Sequence, residues 1–189
     1  MRSRMLKMMN RAFSETKPAR QEEEVRALLR RIYTVPIFIE TGRLLFAMAR
    51  VDRLEPAALW LARRFASLVH WTFGRREQPD ARSLAEEWHR LMPEPRSAFP
   101  IVRTEGETAF VEIHLRCPLR GTGNAEACWR SMEFDRALVE ASGGALVVLE
   151  SQSVTGGQRC RLAIRTKGSD MSDLDVAHPR WLNPSSTPR

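Results

Sequence analysis

Four residues in the second half of the chain have side chains suited to chemistry: Cys117, Cys128, Asp135 and Cys160. Cys128, Met132 and Asp135 fall at i, i+4 and i+7, so a helix through this stretch sets all three on one face. Three thiols, one carboxylate and the nearby His114 are donors of the kind zinc takes. There is no Cys-x-x-Cys and no paired histidine to fix that reading. A nucleophilic thiol is the second chemistry, because Cys128 falls in the first turns of its helix, where the dipole lowers a thiol pKa modestly. The bland alternative is that each cysteine is a small buried apolar side chain. A buried Asp135 needs a partner, which is a metal, a reacting group or one of the many arginines. Its helix neighbours Arg130 and Arg136 are expected to face solvent.

The loop Arg116-Cys117-Pro118-Leu119-Arg120-Gly121-Thr122-Gly123-Asn124 leads into that helix. Free backbone N–H groups at a helix start, with Arg116 and Arg120, suit a carboxylate or phosphate. The glycine spacing matches neither the phosphate-loop nor the dinucleotide signature, and a plain connecting loop is the alternative. His70 and His89 read as helix residues and His178 as a tail residue.

The elements around these residues must bring them together. Thr108 to Arg116 alternates, with Ala109, Val111, Ile113 and Leu115 on one side and Phe110, Glu112, His114 and Arg116 on the other, as in a half-buried strand. Asn124 is a good N-cap for a helix over 125–141, which Gly143-Gly144 closes. Ala145 to Gln152 and Gln158 to Arg165 read as strands joined by a turn at Gly156-Gly157, and Cys160 shares a face with Leu162 and Ile164. Upstream, helical spacing predicts helices over 18–33, 36–51, 56–73 and 79–91. The first carries the stripe Val25, Leu28, Leu29 and Ile32. Pro93, Pro95 and Pro100 exclude helix from 93–106, an extended connection. Residues 167–189 are rich in Ser, Pro, Asp and Arg and are expected to be disordered. The chain thus divides into a basic arm (1–17), a helical region (18–92), the connection (93–106), a strand–helix–strand–strand region holding the site (107–166) and a tail (167–189). The expected class is α+β: an N-terminal helical layer, then a small, mainly antiparallel sheet with one helix packed on it.

At 189 residues, 43% hydrophobic and 28% charged, the chain can bury one sizeable core. No stretch approaches the ~18 apolar residues of a membrane span, and the start lacks the apolar core of a secretory signal. The three cysteines are therefore read as reduced thiols of a soluble, cytoplasmic protein. The net charge of +7 is concentrated at the start, where Arg2, Arg4, Lys7, Arg11, Lys17 and Arg20 stand against Glu15 alone. A basic end meets nucleic acid, an anionic membrane or only solvent. Without interleaved Tyr or Trp and without a DNA-binding pattern, nucleic acid is not expected. Met1, Met5, Met8, Met9 and Phe13 add a weak apolar face of the interfacial kind. The expected partners are a small-molecule carboxylate and, on the Arg-rich helices, another protein or a second copy.

Three blocks within about 107–165 resemble the L-2-amino-thiazoline-4-carboxylate hydrolase-like family. They are Cys117-Pro118 directly after a strand, the run from Cys128 through Asp135 to Glu140, and Gly156-Gly157-Gln158-Arg159-Cys160-Arg161-Leu162. Met132 stands where the family often has a second cysteine, and Gln158 where its closing hairpin has aspartate. The resemblance implies hydrolytic opening of a cyclic C=N bond in a small sulfur-containing carboxylic acid. Arg116 or Arg120 would hold the carboxylate, and Asp135 would orient water as a general base. Cys128, Cys117 or Cys160 would bind a metal or attack the ring carbon. The closing hairpin, with Glu150 and Cys160, is also similar to 4-vinyl reductase type domains, some of which sense small aromatic molecules through a Cys/Glu zinc site. That likeness implies a binding or sensor module without turnover. A relative that serves as a protein-interaction subunit is the third expectation.

Overall fold

The computed structural model describes residues 21–33 and 35–182. The basic arm, the expected start of the first helix and residues 183–189 lie outside them. The helices are α1 (21–32), α2 (Val35–Ala49), α3 (Glu55–Phe73), α4 (Ala81–Leu91), α5 (Ala125–Ser131), α6 (Glu133–Ala141) and the short α7 (Gln152–Thr155). The strands β1 (Ile101–Glu105), β2 (Thr108–Ile113), β3 (Gly144–Glu150) and β4 (Cys160–Thr166) make one antiparallel sheet in the order β1-β2-β4-β3. The class is α+β with the helical layer first, as the sequence leads one to expect. No helix among the described residues is long and apolar enough to cross a membrane.

Local chemistry sets the helix ends. Pro56 sits in the first turn of α3, where its missing N–H costs nothing, and Gly74 ends that helix at φ 77. Arg90 then donates to the carbonyls of Phe73 and Gly74 at 3.0 and 2.9 Å, satisfying acceptors the helix leaves open. Asp80 caps α4 by accepting from Ser83 N at 2.8 Å, and Asn124 caps α5 by accepting from Ala127 N at 2.8 Å. The buried face of α4 (Leu84, Trp88, Leu91) packs across β1, β2 and β4, while α6 packs on β3 and α3 packs on α6. The sheet therefore carries two helices rather than one. A single buried cluster runs from Tyr33 and Leu45 through Trp88 and Phe134 to Val111 and Ile164, so the helical region and the sheet share one core.

Several expectations are corrected. The 93–106 connection contains β1, an edge strand paired with β2. Its side chains are mostly exposed, so no buried alternation marks it, although Ile101-Val102 supplies β-branched residues. The helix expected over 125–141 breaks at Met132, where ψ is 3°. The Ser131 hydroxyl donates to Cys128 O at 2.9 Å and competes with the backbone for that acceptor, which bends helices. The expected strand end at Gln152 is instead the start of α7.

The tail, expected to be disordered, is packed over its described part, 167–182. Ala177 N donates to Val148 O at 2.9 Å on the outer side of β3, blunting that sheet edge. Arg180 and Trp181 are buried. Arg130 and Arg136 do not face solvent either. Arg130 reaches Glu55 at 2.6 Å, Asp52 at 2.7 Å and Ala49 O at 3.0 Å. Arg136 pairs with Glu133, and the guanidinium groups of Arg136 and Arg180 lie 3.8 and 3.7 Å from the Trp129 ring. The carboxylates and the indole make burial of these arginines tolerable.

Candidate functional site

Cys117, Cys128, Asp135 and Cys160 line one cavity of about 100 Å³. Cys117 reaches it from the loop after β2, Cys128 from α5, Asp135 from the first turn of α6 and Cys160 from the start of β4. The break at Met132 does not separate Cys128 from Asp135, and Met132 lines the cavity between them. The helical region supplies the opposite wall: Phe38, Ile39, Gly42, Leu45 and Phe46 of α2, with Phe65 of α3. The site is thus not confined to 107–166. Helical periodicity marks these α2 residues as apolar but carries nothing to say that they face a cavity rather than the core.

Asp135 is buried and accepts a hydrogen bond from Trp88 Nε1 at 3.0 Å. Burial pushes its carboxyl up to about 6, and the indole N–H works in the opposite direction. No ion pair to Asp135 occurs among the described residues, so the salt bridge weighed from the sequence is not made. The arginines that would have supplied it are engaged by Asp52, Glu55, Glu126 and Glu133.

Each thiol has its own partner. Cys128 Sγ is 3.0 Å from Ser151 Oγ, Cys160 Sγ accepts from Gln152 N at 3.5 Å, and Cys117 Sγ accepts from Leu119 N at 3.3 Å. Burial raises all three pKa values, Cys128 to about 12 and Cys160 to about 11. Near neutral pH the thiols are protonated, and the modest pull of the α5 dipole does not offset the loss of water. Among the described residues no group of three or more His, Cys, Asp or Glu side chains is placed to hold a metal ion. The zinc set expected from Cys117, Cys128, Asp135 and Cys160 shares a cavity without forming a coordination sphere.

Gln152 ties the site together, and sequence reasoning missed it because it sits at the expected end of a strand. Its side chain accepts from Cys117 N at 3.0 Å and donates to Leu115 O at 2.8 Å, while its own N–H meets Cys160. Beside it, Gly121 N donates to Gln152 O at 2.9 Å. Gly121 and Gly156 adopt φ 69 and 70, and a Cβ on either would sit within 4 Å of the other's Cα, so the two loops meet backbone to backbone.

The two candidate arginines part company. Arg116 is exposed and lines the cavity edge. Arg120 instead donates to Gly156 O at 2.8 Å and Gln158 Oε1 at 3.0 Å, fastening the loop to the start of the last hairpin away from the cavity lining. His114 faces away and pairs with Glu112 at 2.8 Å. Glu150 lies 4.0 Å from Arg161 and does not line the cavity.

The arrangement is a small, mainly apolar cavity with one buried carboxyl, three protonated thiols and an arginine at its edge. Comparison with protein-family models, curated proteins and solved structures finds no match to this chain.

Proposed function

We propose that the cavity takes a small carboxylic acid with a cyclic C=N bond and that the protein hydrolyses it through Asp135. Asp135 carries the reading: it is a buried carboxyl raised to about 6, in a cavity edged by Arg116. A carboxyl in that range accepts and returns a proton near neutral pH. Arg116 pairs with the ligand carboxylate. Asp135 removes a proton from water as the water oxygen bonds to the ring carbon, and the C=N double bond becomes a single bond with that proton delivered to nitrogen. Loss of the new hydroxyl proton to Asp135 then re-forms a carbonyl as the C–N bond breaks and nitrogen takes the proton, opening the ring. Protonated, buried Cys128 is a poor nucleophile, so this reading gives it a place in the wall and not in the bond-making step. The free thiols fit a reducing compartment such as the cytoplasm.

The test is turnover of 2-amino-thiazoline-4-carboxylate, followed by mass spectrometry of the ring-opened product, in wild type and Asp135→Asn. Turnover lost in the variant supports the proposal; equal turnover removes Asp135 from the chemistry. A second reading, a binding or sensor module, is favoured by the apolar walls that Phe38, Phe46, Phe65 and Phe134 provide. Ligand binding without any product, by calorimetry at the same concentrations, selects it.

A further inference from the structure

One edge of the sheet is covered and the other is open. On β3 the tail donates from Ala177 N to Val148 O. On β1, among the described residues, Ile101–Glu105 makes backbone–backbone hydrogen bonds to β2 only. Val102, Arg103, Thr104 and Glu105 are all exposed. An edge of unpaired N–H and C=O groups is a template for another strand.

The hairpin geometry says which groups point outward. Glu105 pairs with Thr108 across the two-residue turn Gly106-Glu107, with Gly106 at φ 55. Such a turn closes on a hydrogen-bonded pair, and bonded and non-bonded pairs alternate along an antiparallel ladder. Glu105 and Arg103 therefore aim their N–H and C=O groups at β2, and Thr104 aims its own outward. Val102 is the extra residue of a bulge, which confines any outer contact to the Arg103–Glu105 end of the strand.

The side chains beside Thr104 say what pairs with it. Arg103 and Glu105 carry opposite charges and lie 2.8 Å apart on one side of the strand. Let β1 of a second copy run antiparallel with Thr104 opposite Thr104. The two copies then exchange a pair of backbone bonds at Thr104, and each Arg103 stands opposite Glu105 of the other copy. Opposite charges facing each other across strands are favourable, as is Thr opposite Thr. Slipping the pairing by two residues in either direction sets Arg103 against Arg103 or Glu105 against Glu105, which is destabilising. The strand is its own complement in one register.

We propose that β1 is a homodimer interface: the β1 edges of two copies pair antiparallel about Thr104 and join two four-stranded sheets into one.

Sedimentation equilibrium of the full chain, taken to about 1 mM because so short a contact is weak, tests this. A monomer–dimer equilibrium is expected. Arg103→Glu sets like charges opposite each other at both ends of the contact and should weaken the dimer about ten-fold. Arg103→Glu/Glu105→Arg restores the alternation and should restore the dimer. Thr104→Pro removes the outward N–H, which β2 does not use, and should weaken association at least as much. Circular dichroism and thermal unfolding confirm that these variants of exposed residues are folded. A chain that stays monomeric throughout the range overturns the proposal. So does a dimer that Arg103→Glu and Thr104→Pro leave unchanged, or a double variant that associates no better than Arg103→Glu.

Discussion

Trp88 Nε1 lies 3.0 Å from Asp135 Oδ1, so α4, which covers the sheet, holds the carboxyl that α6 presents to the cavity. The indole offers one N–H and no acceptor, and it stabilises the carboxylate over the acid. Trp88→Phe keeps most of the apolar volume and removes the donor. The Asp135 pKa is expected to rise further above about 6, with a stability loss on the order of 1 kcal/mol. Carbon-detected NMR titration of Asp135 checks the shift; an unchanged midpoint would mean that the hydrogen bond does not tune the group.

Asp135 also makes stability depend on pH. Its folded pKa lies above the unfolded value, so the unfolded state releases the proton first as pH rises. The stabilising contribution is whole below the unfolded value near 4 and is lost as pH climbs through about 6. Asp135→Asn removes that loss. The variant is expected to gain on wild type between these limits, by up to about 3 kcal/mol, and to keep the gain at pH 7. Urea unfolding at several pH values measures it, and parallel curves for the two proteins would contradict the raised pKa.

The same residue shows what the sequence discloses and what it hides. Periodicity placed Cys128 and Asp135 on one helical face, and alternation placed Cys160 on the inner face of its strand. Both follow from local geometry, and the cavity joins these residues to Cys117. The four N-terminal helices were legible for the same reason. Trp88 as the partner of Asp135 was not legible, because the two are 47 positions apart and nothing local pairs an indole with a carboxylate. Arg130 and Arg136 were misplaced because charge suggests solvent, whereas carboxylates from α3 and α6 and the Trp129 ring accept them inside. The break at Met132 has no proline or glycine to announce it.

The three thiols should differ in reactivity by exposure. Cys117 is half-buried, whereas Cys128 and Cys160 are buried with pKa values near 12 and 11. Alkylation near neutral pH by iodoacetamide, read by mass spectrometry, is expected to modify Cys117 first and the other two only on unfolding. A protonated thiol is a weak nucleophile, and a buried one is also out of reach. Rapid labelling of Cys128 in the folded protein would revive its candidacy as a nucleophile.

Arg180 anchors the tail to the helical layer. It donates to Glu55 at 2.6 Å and Glu126 at 2.7 Å and stacks 3.7 Å from the Trp129 ring. Its hydrogen bond is the leading cause of the lowered Glu55 pKa. Arg180→Ala leaves Glu55 to Arg130 alone and removes one of the two guanidinium groups that lie on the Trp129 ring. The expected cost at pH 7 is about 2 kcal/mol, that of losing charged hydrogen bonds, because Glu55 keeps Arg130 and Glu126 is partly exposed. Arg180→Lys should recover little, since an ammonium group cannot span two carboxylates and stack at once. A carboxylate with a depressed pKa stabilises above its unfolded value and stops doing so as pH falls through the folded one. The deficit of Arg180→Ala should therefore shrink in acid. Arg82→Ala, which breaks the exposed pair with Glu86, is the control and should change stability by less than about 0.5 kcal/mol. Urea unfolding of the three variants at pH 7 and in acid separates the outcomes. Equal, small effects of Arg180→Ala and Arg82→Ala would show that the tail does not depend on this anchor.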